Sequence, residues 1–193
     1  TGINVPGVGR MTLGDWVHTS LRSSVQPPTT QSTELILFRG LVSDLIPGQT
    51  ASTLTEYDTN MPDKGRLPTG WEGLVYFLSW AFPSAVSLAD AQDTADKTYL
   101  RFVVGSTDKP QDDGPIWKYP QGGGLVLMTT ATATSQVGNG LQSGGARTPY
   151  AIPHHLQEEV PFNVGVRFRA ALAGATARLS QVHLDGIYRK PVG

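Results

Sequence analysis

The densest group of side chains able to do chemistry is His154-His155-Leu156-Gln157-Glu158-Glu159. Imidazoles and carboxylates this close together are metal donors by type. On a helix, His154 and Glu158 would share a face. Pro153 and Pro161 bracket the stretch, however, and leave room for two turns at most. The His-Glu-x-x-His spacing of zincins is absent. The stretch therefore reads as a polar loop ahead of a strand. Asp58-Thr59-Asn60-Met61-Pro62-Asp63 places oxygen ligands at alternate positions, as a calcium loop does, but Pro62 breaks the alternation and no glutamate closes it. A turn in which Asp58 or Asn60 bonds nearby backbone is the better reading. No metal site and no cofactor site is expected.

Nucleophilic catalysis finds equally little support. The chain has no cysteine and no Gly-x-Ser-x-Gly elbow. His183 and Asp185 lie two apart on an expected strand and share a face, which suits a surface hydrogen bond. Asp112-Asp113 and Glu158-Glu159 are adjacent acidic pairs in expected loops. Nothing in their spacing makes them face each other across a cleft, as glycosidase carboxylates must. Gly122-Gly123-Gly124 leads into Leu125-Val126-Leu127-Met128, a strand, and lacks the lysine and helix of a phosphate loop. Trp16, Trp71, Trp80 and Trp117 are candidates for a sugar platform. The plainer reading puts Trp80 in the core and Trp71 and Trp117 in loop packing or an interface.

The elements that must position these residues follow from composition. The 193 residues contain 22 glycines and 14 prolines, about 19% together against roughly 12% on average. Such a chain turns often, and its apolar runs are short and rich in β-branched residues, so an all-β fold is expected. Residues 34–42, 71–82, 99–104, 125–134, 162–172 and 178–189 read as strands, in a set of about eight. Residues 84–96 read as the one short helix, with a capping-box spacing at Ser87 and Asp90. Residues 1–33 read as an extended N-terminal arm with at most one short strand, near Trp16-Val17-His18. The remaining residues, 34–193, form the domain. A single jelly-roll β-sandwich or barrel accommodates few strands and long loops. No run is long enough for a membrane span, and the first ten residues lack the charged start and apolar block of a leader.

Four stretches together resemble a known family. Asp58-Thr59-Asn60-Met61 and Gly65-Arg66-Leu67-Pro68 follow a strand containing Phe38. Gly114-Pro115-Ile116-Trp117 leads to Tyr119-Pro120-Gln121-Gly122-Gly123-Gly124. The chain closes on Val182-His183-Leu184-Asp185-Gly186-Ile187-Tyr188-Arg189-Lys190-Pro191-Val192. Their order over residues 34–192 resembles the single-jelly-roll major capsid proteins of tailless icosahedral bacterial viruses and related prophages. The resemblance implies a structural virion protein, not an enzyme, that self-assembles into capsomers of a phage shell, with the virion assembled in the host cytoplasm. It implies contacts with further copies of the chain and with other capsid, vertex or membrane proteins of the virion. It supplies no catalytic residues.

The charge balance qualifies that expectation. The net charge is −1, with 15 basic and 16 acidic residues, so the chain does not hold nucleic acid by charge alone. The arm carries only Arg10 and Arg22 against Asp15. No sequence-specific nucleic-acid binding is expected, and an inner membrane or a second protein would have to neutralise a genome. Two other functions fit the same fold class. One is a carbohydrate-binding β-sandwich of the spike or adhesin type, and the other is a lyase or glycosidase on a β-scaffold. Solution mass separates them, because a shell subunit forms large closed assemblies and a lectin stops at a small oligomer.

Two local expectations can be tested by structure. Pro115, Trp117, Tyr119 and Pro120 are too apolar for open solvent and are expected at a subunit contact or against the loop at Trp71. In the last strand, Leu179, Val182 and Leu184 are expected in the core, with a bulge at Gly186 that turns Ile187 or Tyr188 inward.

Overall fold

Apolar residues at every second position build the strands. In β12 (Phe162–Phe168), Phe162, Val164, Val166 and Phe168 are buried while Arg167 faces solvent. In β13 (Ser180–Arg189) the alternation runs unbroken through Val182, Leu184, Gly186 and Tyr188 on the buried side. A period of two is what a strand with one face on a core requires. These observations come from a computed structural model, which describes residues 2–5, 9–12, 16–27, 34–81, 86–105, 110–120, 126–129, 135–138, 149–170 and 179–190.

Eight strands form two four-stranded antiparallel sheets. One sheet runs β11 (His154–Leu156), β5 (Glu72–Ala81), β13 and β3 (Trp16–Val25). The other runs β4 (Glu34–Leu37), β12, β7 (Thr98–Val104) and β8 (Asp112–Pro115). Their pairing is nested. The first of the eight in chain order pairs with the last (β3 with β13), the second with the seventh (β4 with β12), the third with the sixth (β5 with β11), and the fourth with the fifth (β7 with β8). The facing sheets bury one core, with Leu21, Val75, Trp80, Leu184 and Tyr188 on one side and Leu37, Leu100, Phe102, Val164 and Val166 on the other. A short hairpin of β1 (Gly2–Val5) and β2 (Gly9–Thr12) precedes them. A small sheet of β6 (Val86–Ser87), β9 (Val126–Thr129) and β10 (Ser135–Gly138) lies beside the helix α1 (Leu88–Lys97) in sequence and in contact. The expected all-β class, the eight strands and the short helix are all observed.

Two boundaries differ most from expectation. First, the arm of residues 1–33 contains β3, a ten-residue strand in full register with β13, not a short strand near residue 16. Removing residues 1–28 would therefore take away the edge strand of one sheet. Second, the strand expected over residues 34–42 stops at Leu37, because Phe38 takes a left-handed backbone (φ +66°) and turns the chain away. Of the strand expected over residues 125–134, β9 is observed, and residues 125 and 130–134 lie outside the described residues.

The open edge of β3 is covered by the Asp58-Thr59-Asn60-Met61 segment. Ser24 N–H donates to the Asp58 carbonyl at 2.9 Å. The Asn60 side-chain amide then stands in for a peptide group, accepting from Arg22 N–H at 2.8 Å and donating to the Ser20 carbonyl at 2.7 Å. An unpaired strand edge invites aggregation, and this segment closes it. Asp58 accepts from Thr55 N–H (2.9 Å), Thr55 Oγ1 (2.6 Å) and Ser24 Oγ (3.1 Å). The next motif clamps the other sheet: Gly65 N–H donates to the Phe38 carbonyl, Phe162 N–H donates to the Gly65 carbonyl, and Gly65 has φ +68°.

The last strand meets its expectation in part. It lies inside the sheet, between β5 and β3, and the register with β5 shifts between Asp185 and Gly186. The extra residue belongs to β5, where Tyr76 falls between the partners of Asp185 and Gly186. β13 itself is regular. Tyr188 turns inward because it is an even step from Leu184, and Ile187 faces out to pack with Trp16 and Tyr76 on Leu74. Leu179 is half-buried and does not join the core. Glycine at 186 answers a close approach: a Cβ there would lie 2.0 Å from the Leu74 carbonyl oxygen.

Candidate functional site

The histidine and glutamate cluster does not converge. His154 and His155 belong to β11 and alternate across it. His155 Nε2 lies 3.2 Å from Glu72 Oε1. His154 packs edge-on against the rings of Tyr150 (4.4 Å) and Phe102 (5.5 Å). Glu158 accepts from Gly70 N–H, and Glu159 pairs with Arg66 at 2.8 Å. Among the described residues, no three histidines or carboxylates are grouped to hold a metal. His183 and Asp185 turn to different strands: His183 Nδ1 meets Ser20 Oγ at 3.2 Å and Asp185 Oδ2 accepts from Ser79 Oγ at 3.2 Å. Gly122-Gly123-Gly124 lies outside the described residues, as do Pro191 and Val192.

The five residues expected at a subunit interface separate into two groups. Tyr119 is buried within its own chain. Its carbonyl accepts from Trp80 N–H at 2.8 Å, and Pro120 bridges to Trp80 beside it. Its burial needs no partner, and it leans on β5 and not on the loop at Trp71. Trp71 packs against the core under the Lys190 ammonium, 4.8 Å from the ring centre. Trp117 is different. It sits on a three-residue 3-10 turn (Ile116–Lys118) directly after Pro115 and is 68% exposed. The four tryptophans do not form a sugar platform, since Trp80 fills the core and Trp16 packs on Leu74.

A cavity of about 630 Å³ opens where β8 and β11, the edge strands of the two sheets, approach each other. β5 supplies Phe77, the entry to β8 supplies Asp112, the turn after it supplies Lys118 and Tyr119, and the approach to β11 supplies Tyr150 and His154. Asp112 is the hub. It accepts from Tyr150 Oη at 2.9 Å and from Lys118 Nζ. The Tyr119 hydroxyl is shielded from water and lies beside Asp112. Burial first, and then the Asp112 charge, push the Tyr119 and Tyr150 pKa values up, so both hydroxyls keep their protons. Burial lowers the His154 pKa against the opposing pull of Asp112 and favours the neutral ring. The sequence reading did not single out this cavity. Its residues are scattered over 77–154 and share no spacing, so His154, Asp112 and the Tyr119 stretch each drew notice separately and never as one site. Comparison with family models, with curated proteins and with solved structures returned no match.

Proposed function

We propose that this chain is a jelly-roll shell subunit that assembles with copies of itself into capsomers of a virus capsid. The observation that carries the reading is the nested pairing of eight strands, first with last through fourth with fifth. One long hairpin wound on itself gives this order, and that is how a jelly roll is built. Fold alone does not assign function, since jelly rolls also serve lectins and enzymes.

The surface adds support. Trp117, Ile152, Leu45, Val42 and Tyr57 are large apolar side chains, each at least half exposed. Tryptophan and tyrosine are favoured interface anchors. β8, the edge beside Trp117, carries Asp112, Asp113 and Pro115, which discourage plain strand addition. Contact there would come from side chains. The motifs behind the resemblance also have structural work in the fold, as the cover over β3 and the clamp at Gly65, and this suits a scaffold better than a catalyst.

The test is sedimentation of the purified full chain with and without Trp117→Ala. The parent chain should sediment largely as multi-megadalton particles. The variant should shift toward free subunits, because an anchor of this kind is worth about 2 kcal/mol or more per contact. Its melting temperature should not change, since an exposed side chain contributes little to the isolated fold. Equal assembly in both chains would remove Trp117 from the interface, and a parent chain that never exceeds a small oligomer would refute the proposal.

A further inference from the structure

The segment that closes the edge of β3 reaches from Ser24 to Ser20 and no further. Its contacts fix which backbone groups point outward. Ser24 N–H, Arg22 N–H and the Ser20 carbonyl all turn away from β13 to meet Asp58 and Asn60. In an antiparallel pair the residues alternate, one bonding the partner strand and the next facing away. The register of β3 with β13 is unbroken from Val25 to Trp16, so the alternation carries on to the start of the strand. The N–H and C=O of His18 and of Trp16 therefore face outward, on the side where β3 has no neighbour in its sheet. Among the described residues, nothing pairs with these groups. Open edges are commonly defended by charge or proline, as β8 is by Asp112, Asp113 and Pro115. The stretch Trp16-Val17-His18-Thr19-Ser20 has no lysine, arginine, acid or proline. Val17 is 54% exposed, although it lies on the face that carries Leu21 and Val25 into the core.

We propose that two copies of this chain join here, β3 to β3 in antiparallel, about a two-fold axis at Val17. The edge is complementary to itself. Trp16 of each copy meets His18 of the other, N–H to C=O in both directions, which satisfies every outward group of both residues and stops short of Asn60. An edge without charge meets its own image without like-charge repulsion. Val17 then faces Val17 of the second copy at a position without ladder bonds, where opposed side chains are closest, and each covers the other's exposed methyls. The two four-stranded sheets become one continuous sheet across the axis. This joint is a property of the strand edge, whether the pair stands alone or is built into a shell, so it does not rest on the shell reading.

The chain has no cysteine, so Val17→Cys adds a single thiol, and a covalent dimer reports that two copies meet at that residue. Opposed positions of this kind have Cβ atoms about 4.5–5.5 Å apart, close to disulfide reach. Thr19→Cys is the register control. It lies on the same face, but its two copies would stand about 14 Å apart along the joined strands. The full chain at about 50 μM is oxidised mildly with copper-phenanthroline, and Val17→Cys should cross-link at least about tenfold faster than Thr19→Cys, because pairing raises the local thiol concentration to about millimolar. It should lose that advantage in concentrated urea. His18→Pro, added to Val17→Cys, removes an outward N–H that β13 does not use, and proline is tolerated on an edge strand. It should bring cross-linking down to the Thr19→Cys rate while the β-sheet signal in circular dichroism is kept. The comparison with Thr19→Cys decides by itself if His18→Pro disturbs the fold. Cross-linking of Val17→Cys no faster than that of Thr19→Cys overturns the proposal. So does a rate that His18→Pro leaves unchanged in the folded chain, since the copies would then meet without backbone pairing. Covalent dimers without larger particles would uphold the joint and count against the shell, and particles without cross-linking would do the reverse.

Discussion

Gly186→Val should destabilise the domain by about 3 kcal/mol, at the upper end of overpacking costs, and lower its melting temperature by roughly 6–12 °C for a chain of this length. The added Cβ would lie 2.0 Å from the Leu74 carbonyl oxygen, 2.9 Å from its carbon and 3.1 Å from the Val75 Cα. All three atoms are backbone, so no rotamer change relieves the clash. β5 would have to move, and with it the strand that carries Trp80 and Leu78 into the core. Domains are stable by about 5–15 kcal/mol, so the loss is a large share of the total. Thermal unfolding followed by circular dichroism measures it. A melting temperature within a degree or two of the parent would mean that the two backbones do not approach as described.

The second large effect is at Asp58. Removing this carboxylate by Asp58→Ala strips partners from Thr55 N–H, Thr55 Oγ1 and Ser24 Oγ together. Hydrogen bonds to a charged group are worth about 1.5–3 kcal/mol each and are not additive, so a net loss of about 3 kcal/mol is expected in urea titration. The edge of β3 would lose its cover as well, and aggregation should rise. The pH dependence has a defined sign. Burial pushes the Asp58 pKa up, but hydrogen bonds from Thr55 and Ser24 and the charge of Arg22 outweigh it, and the folded value lies below the ordinary 3.8. The unfolded chain therefore binds this proton first. The contribution of Asp58 is complete above pH 3.8 and is lost as pH falls through the lowered folded value. His154 acts in the same direction at higher pH, because its folded pKa is below 6.5 and the unfolded state protonates first. Asp58→Ala should flatten the acid limb of the stability profile and leave the part near pH 6 alone. An unchanged acid limb would contradict the role given to Asp58.

What the sequence made legible depended on burial. β7, β12 and β13 carry alternating apolar residues facing the core, and β5 is a short apolar run; periodicity and apolar runs find such strands. β3, β8 and β11 are edge strands, and each hid for its own reason. β3 reads Thr19-Ser20-Leu21-Arg22-Ser23-Ser24, a composition suited to an arm. Its Ser23 and Ser24 are nevertheless buried, because the hydroxyls bond Phe38 N–H and Asp58. β8 is Asp112-Asp113-Gly114-Pro115, all poor strand formers, and it is held by pairing with β7. β11 is a three-residue strand inside a proline-bracketed stretch that looks like a loop. Pairing partners distant in sequence made these strands, and local propensity did not record them. The cavity was hidden for the same reason, since Asp112 and Tyr150 meet only after β8 and β11 are in place. The motif Asp58-Thr59-Asn60-Met61 stood out in sequence, but that it closes the edge of β3 follows only from the fold.

The central claim is that copies of this chain build a shell. Negative-stain imaging of the purified full chain at micromolar concentration and near-neutral pH tests it most directly. The account predicts closed particles of uniform diameter, or the rings of subunits that compose them, because heterologous contacts that close give large symmetric assemblies. A field of single subunits or small oligomers, unchanged on concentration, would contradict it.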